Sequence, residues 1–301
     1  MTIGATGFGA RAFASAAVSV GGTVICVVAV TVADCEINQA AWNAAIAIAG
    51  GGEVWEEAGL RWSWQTHDGQ LMLNFPCAIE AAAAHWGVAA ARERGACIVG
   101  AWLASDVDPS GLETAGFERG WVPWWMAAAL ESVVGPEDER VAITSVVPEY
   151  GPNGQRLLAL ADAPDARAWH AVARVGGNFA GRAWAFAPGH IAGMYDMDVS
   201  PHFRRQGLSR ALLRRLCASA RAAGAQAAAL NAIPDGERLY SAEGFVRSGP
   251  ASPTGTTSPD APRALPLRRH WSIRRTISAL RRGPPVLLLR RSWGSRFRDC
   301  S

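Results

Sequence analysis

Residues 198–212 read Asp198-Val199-Ser200-Pro201-His202-Phe203-Arg204-Arg205-Gln206-Gly207-Leu208-Ser209-Arg210-Ala211-Leu212. A strand ends at Val199, a short loop rich in Arg and Gly follows, and a helix starts near Leu208. Unbonded N–H groups at a helix start, and the positive end of its dipole, favour a phosphate. Gly207 lacks the Cβ that would hold a pyrophosphate away from the backbone. Arg204 and Arg205 add guanidinium groups able to make charge-assisted bonds. An Arg-x-x-Gly alone occurs by chance; its place between a strand and a helix gives it weight.

The flanking segments fit that reading. Ile191 to Val199 is the strand that delivers the loop, and Trp169 to Val175 with Gly181 to Phe186 form a hairpin through Gly176-Gly177-Asn178. In the helix Arg204 to Ala223, Leu208, Leu212 and Leu216 recur every four residues, Arg210, Arg214 and Arg221 fall elsewhere, and Gly224 ends it. A buried strand from Ala227 to Ile233 follows, then a turn at Pro234-Asp235-Gly236 and a short helix from Glu237 to Glu243 stopped by Gly244. Two strands, then strand–helix–strand–helix–strand, predict an α/β sheet with ligand chemistry at strand ends.

This segment resembles the acyl-CoA-binding motif of the GCN5-related N-acetyltransferases (GNAT), written R/Q-x-x-G-x-G/A after a V-x-P strand end; here it reads Arg204-x-x-Gly207-x-Ser209. Ser209 in the last place is a small departure that still allows close approach. The strand from Ala227 and Tyr240 on a short helix before Gly244-Phe245 follow in the family's order, and the resemblance covers residues 141–249.

The resemblance implies a mixed, splayed β-sheet flanked by helices, of α/β (α+β) class. It implies acetyl-CoA as co-substrate, without a metal, and direct attack of a primary amine on the thioester. Met197 and Val199, about Asp198, would bond the pantetheine arm through main-chain atoms. Arg205, Gln206, Gly207, Leu208 and Ser209 would carry the pyrophosphate, with Arg204 beside them. Asn231 would line the cofactor channel, and Tyr240 would protonate the departing thiolate. Each has a plainer reading: Tyr240 as a core aromatic, Asn231 as a partner for backbone where strands splay. The position where many members place a catalytic Glu holds Tyr195, and strict alternation sends Asp196 and Asp198 to the face opposite Tyr195 and Met197. Either water relays the proton, or a group such as Glu149 or His190 serves.

Residues 35–140 show the same punctuation more faintly. A hairpin spans Gly59 to Asn74 about His67-Asp68-Gly69, a helix spans Ala78 to Arg94, and a buried strand spans Ala96 to Ala104. Leu112-x-x-x-Gly116-Phe117-Glu118-Arg119 lies beside Tyr240-x-x-x-Gly244-Phe245-Val246-Arg247, a weak internal repeat of two tandem copies. Leu112 cannot donate a proton, and Arg92-x-x-Gly95 sits at a helix end where the dipole is negative. The first copy is therefore expected to be degenerate, to hold no cofactor and to shape the amine site. Trp121, Trp124 and Trp125 are expected to be buried at the junction.

Composition sets the outer limits. The 301 residues hold 29 Lys+Arg, all of them Arg, and 26 acids. From Ala251 onward eleven Arg face two acids, so the first 250 residues hold eighteen Arg against twenty-four acids. That balance excludes a chain-wide nucleic-acid footprint and leans toward cationic acceptors. Six scattered Cys without a CxxC argue against zinc and a disulfide framework, and suit a reducing, cytoplasmic compartment. The uncharged stretch Ala12 to Ala33 is too rich in Gly, Ser, Thr and Ala to be favoured as a membrane span.

The expected organisation is a poorly structured N-terminus (1–34), the degenerate copy (35–140), the catalytic domain (141–249) and a largely disordered Pro/Arg-rich tail (250–301). A family member closes its sheet with one more strand soon after Gly244-Phe245; here only Val286 to Leu289 looks able to form one. The expected activity is N-acetylation of a small-molecule or peptide amine, with a homodimer left open. The alternatives are a non-catalytic acyl-CoA-binding module and a membrane- or polyanion-associated protein.

Overall fold

The computed structural model describes residues 30–248, apart from 67, 105, 120–123 and 164–166, together with the backbone of strands Ser15–Val20, Thr23–Val28 and His270–Ile273. Strands β1 (Ser15–Val20) and β2 (Thr23–Val28) pair antiparallel, where the sequence suggested no regular structure. Helix α1 (Val32–Ala49) begins at a reciprocal cap: Asp34 N–H donates to Thr31 Oγ1, and Thr31 N–H donates to Asp34 Oδ2. Then come β3 (Glu53–Glu57), β4 (Leu60–Gln65), β5 (Gln70–Asn74), α2 (Ala81–Glu93), β6 (Ile98–Trp102), α3 (Ser110–Thr114) and β7 (Glu118–Arg119). The second series is β8 (Trp124–Ala129), β9 (Val141–Ile143), α4 (Pro152–Asp162), β10 (Ala168–Val175), β11 (Asn178–Phe186) and β12 (Ile191–Val199). It continues with α5 (Leu208–Ala222), β13 (Ala227–Ala232), α6 (Pro234–Ala242), β14 (Val246–Arg247) and β15 (His270–Ile273).

Two larger sheets result, ordered β3-β4-β5-β6-β15-β7 and β14-β8-β13-β12-β11-β10-β9. In each, antiparallel strands lead to one parallel pair, β5 with β6 and β12 with β13, and a long helix makes the crossover. The repeat read from Leu112 and Tyr240 falls on corresponding elements, β6-α3-β7 and β13-α6-β14. The closing strands are exchanged. β8 inserts between β13 and β14, Ala129 opposite Ala227 and Trp124 opposite Ala232, while β15 inserts between β6 and β7.

This exchange crosses the boundary expected at residue 140 and completes the second sheet without a strand from the tail. β15 also places regular structure within residues 250–301; Val286 to Leu289 lies outside the described residues. Trp125 of β8 is buried, Trp124 is half-buried with the Arg247 guanidinium 4.0 Å from its ring centre, and Trp121 lies outside the described residues.

α5 covers one face of the second sheet with Leu208, Leu212, Leu213, Leu216, Cys217 and Ala220, the stripe its sequence foretold. α1 and α4 cover the other, Trp42 packing with Trp184 and Phe186. α1 also touches β3, β4 and β5, so one helix joins both sheets. Its buried amides are paired: Asn38 Nδ2 donates to Ile191 O (2.9 Å), and Asn43 Nδ2 to Asn74 Oδ1 (2.7 Å). Among the described residues no helix is long and apolar enough to cross a membrane.

Candidate active site

β12 and β13 pair from Ile191–Ala227 to Met194–Leu230, and beyond that the two strands have no register partners in each other. On its other side β12 bulges against β11: Trp184 faces Tyr195 but Arg182 faces Asp198, with Asp196 at φ +48°. The extra residue reverses the alternation. Tyr195 packs in the core beneath α1, whereas Met197 and Val199 join Met194 in the core beneath α5. The sequence expectation of strict alternation is thereby corrected: Tyr195 and Met197 point to opposite faces. Met197 lies beyond the last residue of β12 that pairs with β13, at the edge of the gap.

After Val199 a single 3-10 turn (Pro201–Phe203) leads into the loop. Arg205 and Gly207 both take left-handed backbone, φ +62° and +80°, so consecutive N–H groups turn toward one concavity ahead of α5. Among the described residues, the N–H groups of Arg205, Gln206, Gly207, Leu208 and Ser209 donate to no backbone carbonyl, and a Cβ built on Gly207 meets nothing within 4 Å. This is an open anion cradle. Arg140 Nη2 pins it from β9's approach by donating to Gln206 O (3.2 Å). Arg204 is placed otherwise than expected: its Nε donates to Val199 O (3.0 Å), bracing the strand end and occupying a carbonyl expected to face the ligand. Arg205 is exposed.

Tyr240 reaches the gap from α6, its O–H donating to Met197 Sδ at 3.8 Å, and burial raises its pKa. α6 is fastened to α5 through Glu243, which pairs with Arg210 and Arg214 at 2.6 Å each. Asn231, on β13 past the last paired residue, has its Oδ1 buried and without a hydrogen-bond partner. Cradle and tyrosine thus lie on the α5 side of the sheet, and Asn231 stands on β13 where it parts from β12, on the other face.

Neither Glu149 nor His190 stands at the gap with a free side chain, and the family's glutamate position holds a locked tyrosine. Tyr195 is locked: its ring stacks on Trp42 (4.6 Å, 3° apart), its O–H donates to Asn38 Oδ1, and burial pushes the phenol well above its usual range. Glu149 forms a two-pronged pair with Arg174 (2.5 and 2.8 Å), whose hydrogen bonds hold the carboxyl at about 2. His190 precedes the first residue of β12, at the end remote from the gap.

A buried relay lies on the α1 face. His170 Nδ1 faces Thr144 O (3.1 Å), which only accepts, so Nδ1 carries the proton and Nε2 accepts from Tyr150 O–H (3.0 Å). Tyr150 in turn receives a bond from Arg182, which lies by Asp196 and Asp198. Desolvation lowers His170 to about 4. Two further clefts, of about 540 and 510 Å³, are lined by 143–145, 161–163, 167–169 and 223 and by α1, Val54 and α4; neither includes the cradle. Among the described residues no three His, Cys, Asp or Glu side chains gather to hold a metal ion.

Residues 138–245 match the model of the acetyltransferase (GNAT) family. Among solved structures, the chain is similar to a GCN5-related N-acetyltransferase from Kribbella flavida (18% identity, TM-score 0.50), over 81% of this chain and 95% of that one. A putative GNAT-family acetyltransferase from Novosphingobium aromaticivorans matches at 16% identity and a TM-score of 0.47, over 79% and 96% of the two chains. A tandem GNAT protein from the clavulanic acid biosynthesis pathway matches at 13% identity and a TM-score of 0.45, over 71% and 78%. The first likeness is one of fold. No curated protein matches the chain.

Proposed function

We propose that this chain, whose residues 138–245 match the model of the acetyltransferase (GNAT) family, is an acyltransferase that moves the acetyl group of acetyl-CoA directly to a primary amine in the cytoplasm. The observation that carries the reading is the cradle: five N–H groups free of backbone acceptors, a left-handed Gly207 with open space beside it, and a helix dipole behind them. These features fit the pyrophosphate of coenzyme A. The thioester would supply an acyl carbon activated toward attack. Within the chain, Arg205 to Ser209 bind, Met197 offers its main chain to an extended amide-bearing arm, Asn231 Oδ1 accepts a hydrogen bond, and Tyr240 holds a proton beside the gap.

The absence of a base at Tyr195, Glu149 or His190 favours a second reading, an acyl-CoA-binding module without turnover. Calorimetry and thermal unfolding with acetyl-CoA test the shared premise. At one hundred times its Kd the ligand should add about 2.7 kcal/mol of stability. Gly207→Glu should abolish that gain while remaining folded, because a carboxylate would fill and repel the anion site. Binding without acetylation of any amine would favour the second reading.

A further inference from the structure

Tyr240 is held on several sides. Its ring lies back along α6 over Gly236, where a Cβ would come within 2.9 Å of Cε2, and beside Phe245, with 6.1 Å between ring centres. Its carbonyl accepts from both Glu243 N–H and Phe245 N–H, each at 3.0 Å, which closes the last turn of the helix. From that turn the buried Glu243 side chain reaches into α5. Arg214 grips it with two prongs, Nε to one carboxylate oxygen (2.6 Å) and Nη2 to the other (3.1 Å), and Arg210 Nε adds a third contact at 2.6 Å. The buried Cys217 thiol lies near that carboxylate on the same helix. Arg210 stands in the first turn of α5, next to Ser209 of the cradle. In the loop after β8, Gly135 lies so close to the Arg214 guanidinium that a Cβ there would collide with it.

The first half closes the matching turn without charges. Phe117 N–H donates to Leu112 O (3.0 Å) as Phe245 N–H does to Tyr240 O, but the place of Glu243 is taken by Ala115. Counted from the first residue of each crossover helix, Arg210 and Arg214 are answered in α2 by Ala83 and Gly87. The turn therefore forms without an ion cluster. Taking a carboxylate out of water is offset only by close pairing, so the cluster contributes little net stability while admitting one geometry. It stands in the half that has a hydroxyl to aim at a gap, and is missing where the same place holds Leu112. Met197 Sδ, 3.8 Å from the hydroxyl, is a weak acceptor, so the aim is set by α6 rather than by that contact.

We propose that Glu243 is a positioning residue: by locking α6 to the first two turns of α5, it sets Tyr240 O–H at a fixed place relative to the anion cradle, at the edge of the gap. The proposal deepens the acetyl-transfer reading above and rests on it. In that reaction the amine lone pair forms the C–N bond, the C–S bond breaks with its electrons on sulfur, and Tyr240 O–H gives the sulfur its proton. The excess proton on the amide nitrogen returns through water to the tyrosinate. A hydroxyl about 1 Å out of place costs such a step on the order of 10²-fold.

The test uses the full chain with its three tyrosines labelled by carbon-13 at Cζ, the Tyr240 resonance being assigned by its loss in Tyr240→Phe. In the wild type, burial holds the Tyr240 phenol above its ordinary value of 10. Thiol release from acetyl-CoA is followed with n-butylamine, spermidine, glucosamine and a glycyl dipeptide. Glu243→Gln should let the Tyr240 midpoint fall toward 10 and cut kcat by about tenfold or more. The KM for acetyl-CoA should stay within about threefold, because the N–H groups of the cradle are untouched. Glu243→Asp, able to reach one guanidinium, should recover part of both losses. Arg214→Lys keeps the charge but loses the two-pronged grip, and carries the same test if Glu243→Gln does not fold. Leu158→Ala, a cavity in the core beneath α1 and α4, lowers stability without touching α6 and should leave the Tyr240 midpoint and kcat unchanged. A folded Glu243→Gln with an unmoved midpoint and wild-type kcat, or a Leu158→Ala that lowers kcat as far, overturns the positioning role. Wild-type protein that binds no acetyl-CoA, or acetylates no amine, overturns the acetyl-transfer reading and the catalytic consequence with it. The Tyr240 midpoint, read without substrate, tells that failure apart from a Glu243 that does not place the hydroxyl.

Discussion

The two long crossover helices start in opposite circumstances. At α5, Gly207 faces open space and the loop ahead carries two arginines. At α2, the cap residue is Glu80, and α3 closes over the helix start so tightly that a Cβ on Gly111 would lie 2.5 Å from Ile79 O and 3.1 Å from Ala81 N. A carboxylate and a packed backbone stand where the second half offers N–H groups to an anion. Where α6 carries Tyr240 to its gap, α3 carries Leu112, fully buried in its own core. The same strand order therefore holds one ligand cradle and one sealed helix end.

The strand exchange offers the hardest way to break that comparison, because it is symmetric in topology and unequal in consequence. β8 is an interior strand paired on both sides, and Ala128→Pro would remove a ladder donor there. Loss of cooperative unfolding and of acetyl-CoA binding is expected, read by circular dichroism and calorimetry. A chain ending at residue 249 loses β15 from the first sheet alone, so it should unfold earlier yet still bind acetyl-CoA. If the truncated chain lost binding as completely as Ala128→Pro, the halves would be one cooperative unit rather than two sheets with traded edges.

Why the exchange was hidden and the cradle visible follows from range. The cradle is local: a strand end, two arginines, a glycine and a leucine stripe lie within nineteen consecutive residues from Asp198 to Leu216, and β12 falls on Ile191–Val199 as read. Nothing near Trp124 or His270 says which sheet each strand will enter, since both are short runs that suit any edge. α1 escaped notice because its buried face includes Asn38, Gln39 and Asn43, whose polarity blurs the helical stripe. The bulge at Asp196 adds one residue without any Gly or Pro to mark it, so the facing of Tyr195, Met197 and Asp196 could be read only from the fold.

A smaller effect sharpens how the halves are held together. Trp42 of α1 is buried against Trp184, Phe186 and Tyr195, all from the second half, while α1's other face lies on the first sheet. Trp42→Ala should cost about 3–5 kcal/mol in chemical denaturation. It should also free Tyr195 from its stack, whereas Trp62→Ala, buried wholly in the first sheet's core, should cost a similar amount and leave Tyr195 unmoved. Tyrosine ring resonances would separate the two.

The smallest expected effect is a near-absence that two substitutions should uncover. His170, in the second half, titrates at about 4 when folded against 6.5 when unfolded, so protonation favours unfolding and stability is lost as pH falls from 6.5 toward 4. Desolvation is the main cause, with the Arg182 charge adding to it and the bond to Thr144 O opposing. Asp68, in the first half, has the opposite sign. Its folded value of about 7 lies above 3.8, so stability is lost as pH rises from 3.8 toward 7. Each slope is about 1.4 kcal/mol per pH unit at most, and in the shared window they oppose one another. Wild-type protein should therefore melt at nearly constant temperature between pH 4.5 and 6.5. Asp68→Asn should expose the acid limb, with Tm falling as pH drops, and His170→Gln should expose the other, with Tm falling as pH rises. If neither substitution tilted the profile, neither group would be buried as the fold places it.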